Sequence, residues 1–196
     1  MKRFVFLAAV AACTSSSDPF ELDHAQILAV RAEPAHAPPG TAVRIDVLAG
    51  DDAGDVFEAV PDAVDAGPLA AERRADGWYV TSPAPLAPAI TVTLRIDGQP
   101  WAATKQLVFA ELAANPSLAE MPPVQAIRGT KPQLAASAAG ADPLSYAWYT
   151  SLGTLEHYRQ PAAILDAEAA GDGIVCVVVR DAQGGVAWQT IPAHVE

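Results

Sequence analysis

The sequence predicts an all-β chain folded as two tandem β-sandwiches. Short apolar stretches alternate with polar residues at period 2, the spacing of a strand buried on one face. Between them stand 17 Pro and 13 Gly, which break regular structure at short intervals. The apolar supply is thin. Hydrophobic residues make up 51% of the 196, but about a fifth of the chain is Ala, and only 5 Phe, 4 Trp and 4 Tyr are present. A buried Ala methyl contributes little, so small cores with many turns fit better than a deep catalytic pocket.

Lys2-Arg3 precede an apolar run over residues 4–12. Nine residues are too few to cross a bilayer, which needs about 20, but they match the apolar part of an export signal. The run ends in Val10-Ala11-Ala12-Cys13, which resembles the bacterial lipobox, with Val where Leu is commonest. The resemblance implies removal of residues 1–12, acylation of Cys13 with palmitate-class chains, and anchorage in a bacterial cell envelope. Thr14 rather than Asp follows the Cys, which by the same resemblance favours the outer membrane. An ordinary secretory cleavage near Ala9-Val10-Ala11 is the competing reading. Residues 13–23 begin Thr-Ser-Ser-Ser-Asp-Pro after the Cys and read as a disordered tether.

Strands follow in order. Residues 27–33 form the first, stopped by Pro34, and Pro38-Pro39-Gly40 make a turn. Val43, Ile45 and Val47 alternate with Arg44 and Asp46. Residues 49–55 are an acidic loop, 56–60 a candidate strand, and 62–76 an Ala-rich charged segment without a clear pattern. Residues 78–81 lead into Pro83, Pro85 and Pro88, which exclude a central ladder. Ile90, Val92, Leu94 and Ile96 then alternate up to Asp97-Gly98, and residues 101–109 return as a hairpin partner. Residues 112–123, with Asn115-Pro116 and Pro122-Pro123, form the linker between a first unit at 24–111 and a second at 124–196. In the second unit strands are expected at 133–137, 144–150, 164–167, 174–180 and 186–191.

The second unit carries Asp142-Pro143-Leu144-Ser145-Tyr146-Ala147-Trp148, a bend at Gly153, and Val177-Val178-Val179-Arg180-Asp181 before Gly184-Gly185. These stretches resemble an Ig-like domain of the polycystic-kidney-disease repeat type. The first unit, with Pro34 and Pro39-Gly40 at its start, is similar to bacterial Ig-like domains. The resemblance implies that Trp148 lies between two sheets with Cys176 on a facing strand. Cys176 has no disulfide partner once Cys13 is acylated, and the apolar run around it makes it a small core hydrophobe.

Charge and motifs exclude much. The net charge is −11, and −13 without Lys2 and Arg3, which argues against nucleic acid and for a body repelled from anionic headgroups. No His-Glu-x-x-His, Cys-x-x-Cys or Gly-x-Ser-x-Gly occurs, so no metal, cofactor or catalytic residue is expected. Three function classes follow. The first is a lipid-anchored, non-catalytic interaction or spacer module, with an envelope protein or glycan as possible partner. The second is a carbohydrate- or peptide-binding module using the aromatics Trp78-Tyr79 or Tyr146, Trp148 and Tyr149. The third is an enzyme with a loop site in Glu156-His157-Tyr158-Arg159, an acid, a base and a cation in one connection. Asp51, Asp52 and Asp55 faintly resemble a calcium loop, and Asp172 and Asp181 stand in turns. Both patterns read more simply as turn chemistry.

Overall fold

The computed structural model describes residues 20–196. Its first sandwich contains β1 (Gln26–Glu33), β2 (His36–Ala37), β3 (Val43–Gly50), β4 (Val56–Ala59), β5 (Ala63–Asp65), β6 (Ala70–Arg74), β7 (Gly77–Thr81), β8 (Ala89–Ile96), β9 (Gln99–Gln106) and β10 (Val108–Phe109). One sheet runs β1-β3-β7-β6, with β4 sharing one side of β3 with β7; the other runs β5-β8-β9. The β2 strand crosses over to pair in parallel with β10. Apart from β4, four antiparallel strands face three, as in the constant-type immunoglobulin arrangement. The expected hairpin is present: Ile96 pairs with Gln99 across Asp97-Gly98. Both turn residues have positive φ, 52° and 78°, as a two-residue type I′ turn requires.

The second sandwich contains β11 (Ser117–Leu118), β12 (Val124–Ala126), β13 (Gln133–Ala135), β14 (Ala138–Ala139), β15 (Ser145–Thr150), β16 (Thr154–Glu156), β17 (Ala162–Asp166), β18 (Gly171–Arg180) and β19 (Val186–Val195). Its sheets are β12-β19-β18-β15 and β13-β17-β16, with β11 and β14 paired at one margin. The parallel β12–β19 pair and the crossing of β13 to the opposite sheet repeat the scheme of the first unit. The chain is all-β, a tandem of Ig-like sandwiches.

Each sandwich has its own core. The first is built on Ile45, Val47, Val80, Ile90, Val92, Leu107 and Phe109. The second is built on Trp148, Leu165, Val175, Val177, Val179 and Ile191. Trp148 is fully buried between the sheets, as the resemblance implies, and its indole Nε1 donates to the Gln160 carbonyl at 2.9 Å. That bond satisfies the one polar atom the ring carries inward.

Three expectations need correction. Residues 62–76, patternless in sequence, contain β5 and β6; β6 is an exposed, charged edge strand, so no apolar alternation marks it. Cys176 is buried but does not belong to the second core. It lies on β18, hydrogen-bonded next to β15, and points away from Trp148 toward the first sandwich. Phe20 and Leu22, expected within the 13–23 tether, are held instead. Leu22 N donates to the Thr150 carbonyl and Thr150 N to the Phe20 carbonyl, both at 3.0 Å, and the Phe20 ring packs 5.0 Å from that of Tyr158.

Candidate functional site

The residues singled out for chemistry are dispersed and engaged locally. Glu156 is taken by Lys131 at 2.8 Å, and Lys131 is shared with Asp166 at the same distance. The two carboxylates push the Lys131 ammonium above its usual range. His157 adopts positive φ, 59°, at an exposed turn, Tyr158 packs on Phe20, and Arg159 lies over the Tyr158 ring. This loop therefore presents no acid–base pair. Asp51 Oδ1 accepts from the Ala53 and Asp55 amides, and Asp181 Oδ1 from those of Gln183 and Gly185, so both close turns. Asp172 bonds His194 Nδ1 at 2.7 Å on the surface. Among the described residues no group of three or more His, Cys, Asp or Glu is placed to hold a metal ion.

The aromatics are also occupied. Trp78 Nε1 donates to the Pro61 carbonyl at 2.9 Å, and Tyr79 donates to Asp76 while the Arg74 guanidinium covers its ring. Tyr146 packs on the second core. Tyr149 faces opposite to Trp148, as strand alternation requires, but it is covered by the first sandwich. Trp101 and Phe57 remain more than one-third exposed. Cys13 lies outside the described residues.

What the fold does bring together is the junction between the sandwiches. An apolar run buried on both faces must have a body on each side, and Val175–Val179 is such a run. Val175, Val177 and Val179 enter the second core, whereas Cys176 and Val178 meet Leu28, Ala29 and Leu48 of the first sandwich. On the other side, a β-bulge in β1 between Ile27 and Ala29 places two successive side chains, Leu28 and Ala29, in that cluster. Leu22, Val56, Val186, Tyr149 and Trp188 complete it. The sandwiches thus pack through the outer faces of central strands.

Polar contacts frame this cluster. Asp46 holds Arg31 at 3.0 Å, Arg31 lies 4.2 Å over the Trp188 ring, and Trp188 Nε1 donates to Glu58 at 2.7 Å. An indole of one sandwich is therefore clamped between a cation and a carboxylate of the other. Asn115, in the expected linker, donates from Nδ2 to the Ala32 carbonyl and to Glu33, and its Oδ1 accepts from Val186 N, each at 2.8 Å. His36 Nε2 donates to the Gln183 carbonyl at 2.7 Å. The Asp51–Asp55 loop adds a close approach: a Cβ on Gly54, at φ 86°, would stand 2.9 Å from Ser151 Cβ. Burial pushes the Cys176 thiol up to about 12, with the Thr190 hydrogen bond acting in the opposite direction.

Beside the cluster lies a cleft of about 500 Å³ bordered by both sandwiches. Lys105 of β9 reaches across it to the Gly184 carbonyl, and Arg180 at the end of β18 donates to the Leu28 carbonyl at 2.9 Å. Burial first, and then the Arg180 charge, bring the Lys105 ammonium down to about 8. No pattern in the sequence marked Lys105, Asn115, Arg31 or Arg180 as contacts between the sandwiches, because each acts on a neighbour more than 70 residues away.

No family model and no curated protein matches the chain. Solved structures that share features of the fold include the N-terminal eight Ig domains of Down Syndrome Cell Adhesion Molecule (14% identity, TM-score 0.35), covering 88% of this chain and 28% of that one. The N-terminal Ig1-2 module of the Drosophila receptor protein tyrosine phosphatase DLAR has 11% identity and TM-score 0.40, over 88% of this chain and 99% of that one. Fibronectin(III)-like modules of Clostridium thermocellum CbhA have 12% identity and TM-score 0.39, over 88% and 94%. The chain thus spans little more than a quarter of the eight-domain protein and nearly all of the other two.

Proposed function

We propose that this chain is a lipid-anchored protein of a bacterial cell envelope, held by acylated Cys13 at the outer membrane, and that its paired sandwiches form a non-catalytic interaction module. The observation that carries the module reading is the outer-face junction. Apolar surface and polar side chains that could serve chemistry or flexibility instead fix two small sandwiches as one block. Inter-domain motion is the default for tandem domains unless their interface is large and hydrophobic; here an apolar cluster and side-chain hydrogen bonds favour a fixed arrangement. A block of fixed shape suits presentation of a constant surface better than an extensible spacer. Two or three acyl chains give stable membrane attachment where one gives only marginal binding.

Metabolic labelling with a fatty-acid analogue tests the anchor. Label on the wild type and none on Cys13→Ala is expected; equal label on both removes the anchor. The module reading is tested by crosslinking in intact envelopes from a photoreactive residue at Trp101. A discrete adduct supports it, and only a diffuse smear counts against it. For glycan binding the exposed aromatics are Trp101 and Phe57, not the set expected from the sequence, and a glycan array with Trp101→Ala as control decides it.

A further inference from the structure

Among the described residues four cations are matched by carboxylates. Arg31 and Arg44 meet Asp46, Arg74 meets Glu72, and Lys131 meets Glu156 and Asp166. Arg73, Arg95 and Arg128 bond backbone carbonyls. What sets Lys105 and Arg180 apart is their place. They enter one cleft from opposite sandwiches, and their hydrogen bonds across it end on backbone carbonyls, Gly184 O and Leu28 O. The charged groups that face Lys105 are Arg180 and Asp181, and one carboxylate oxygen of Asp181 is already committed to the amides of its own turn. Two like charges held together in a partly desolvated cleft raise each other's cost, and an anion relieves it. Each group has N–H donors beyond the one bonded across the cleft, and a guanidinium is shaped for a carboxylate.

The cleft also has room. Its volume of about 500 Å³ falls within the range of roughly 300–1,000 Å³ of small-molecule sites, which pair apolar walls with a few placed polar groups. Ile27, Ala103 and Val186 supply apolar surface, and Thr104 and Ser145 supply hydroxyls.

We propose that this cleft binds a small organic carboxylate with a short apolar body, Lys105 and Arg180 holding the carboxylate and the Ile27, Ala103 and Val186 wall holding the body. The site is independent of the anchor at Cys13, so failure of one leaves the other standing. Because it draws on both sandwiches, occupancy adds to the tie between them.

The full chain in non-ionic detergent is titrated with butanoate, with butanamide as the neutral isostere and inorganic phosphate as a bare anion, and amide NMR shifts are followed. Butanoate is expected to saturate shifts around Ile27–Val30, Thr104–Gln106 and Gly184–Val186. Butanamide binds at least tenfold more weakly, and Lys105→Gln weakens butanoate at least tenfold while Lys105→Arg retains most of the affinity. Binding falls several-fold between pH 7 and pH 9.5 as the Lys105 proton is lost. The absence of saturable shifts at those amides, equal affinity for butanoate in wild type and Lys105→Gln, or phosphate binding as tightly as butanoate would each overturn the proposal. Lys131→Gln, remote from the cleft, controls for bulk charge and is expected to leave the titration unchanged.

Discussion

Cys176 is a built-in reporter of the junction. Its side chain is fully buried where the two sandwiches meet, and burial holds its thiol near 12, so almost no thiolate exists at neutral pH. A thiol reagent reacts only after the junction opens. The perturbation is Leu28→Ala, made in a Cys13→Ser chain so that Cys176 is the single thiol. Leu28 is 4% exposed and packs in the junction cluster, not in either sandwich core. Large-to-small truncation of a buried Leu costs about 2–5 kcal/mol. The lower part of that range suits a contact between two bodies able to relax toward each other. At about 2–3 kcal/mol, with tenfold per 1.4 kcal/mol, opening becomes roughly 30- to 150-fold more frequent. The assay is the rate of Cys176 labelling under native conditions, at reagent concentrations where closing outpaces reaction. Leu134→Ala, which truncates the second core alone, controls for unfolding of that sandwich and is expected to change the rate far less. A Leu28→Ala rate within about threefold of wild type, or a Leu134→Ala rate exceeding it, would refute the reasoning.

Other perturbations test separate parts of the same account. Asn115→Ala removes two donors and leaves Val186 N without its acceptor; a loss of about 1–3 kcal/mol in urea denaturation is expected. Gly54→Ala adds a Cβ 2.9 Å from Ser151 Cβ at positive φ, whereas Gly98→Ala meets nothing within 4 Å. Both carry the left-handed penalty of about 1–2 kcal/mol, so Gly54→Ala is expected to lower the melting temperature further and to speed Cys176 labelling, and Gly98→Ala is not. Lys105 titrates near 8 in the folded chain against 10.5 as its ordinary value. Between those values the unfolded chain binds the extra proton, so this group makes stability rise with pH across that window. Relative to Lys105→Met, the wild-type urea midpoint is expected to gain between pH 7.5 and pH 10; a constant gap would contradict the assignment.

Much of the fold was legible because one-sided burial writes itself as alternation. Ile90, Val92, Leu94 and Ile96 read as a strand, and they are one. Asp97-Gly98 read as the hairpin turn because few other pairs adopt two positive φ angles in succession. Two-sided burial was legible only in part. The Val175–Val179 run announced a strand covered on both faces, but nothing local could say that the second cover was the first sandwich. Sequence reasoning therefore sets Cys176 opposite Trp148, whereas it sits in the junction cluster. The bulge that turns Leu28 and Ala29 outward, the Arg31–Trp188 stacking and the bridging side chain of Asn115 depend on residues far apart in the chain. The strand β6 was illegible for the opposite reason, since an exposed edge needs no apolar pattern at all. Glu156 and His157 stand side by side in sequence, but neighbouring strand residues face opposite ways, and in space the carboxylate turns to Lys131.

Residual dipolar couplings measured on both sandwiches of the full chain test the fixed block most directly. The junction described here predicts one alignment tensor, equal in magnitude and orientation for residues 26–109 and 124–195. Two tensors of different magnitude would mean that the sandwiches reorient independently, and the single rigid module would have to be abandoned.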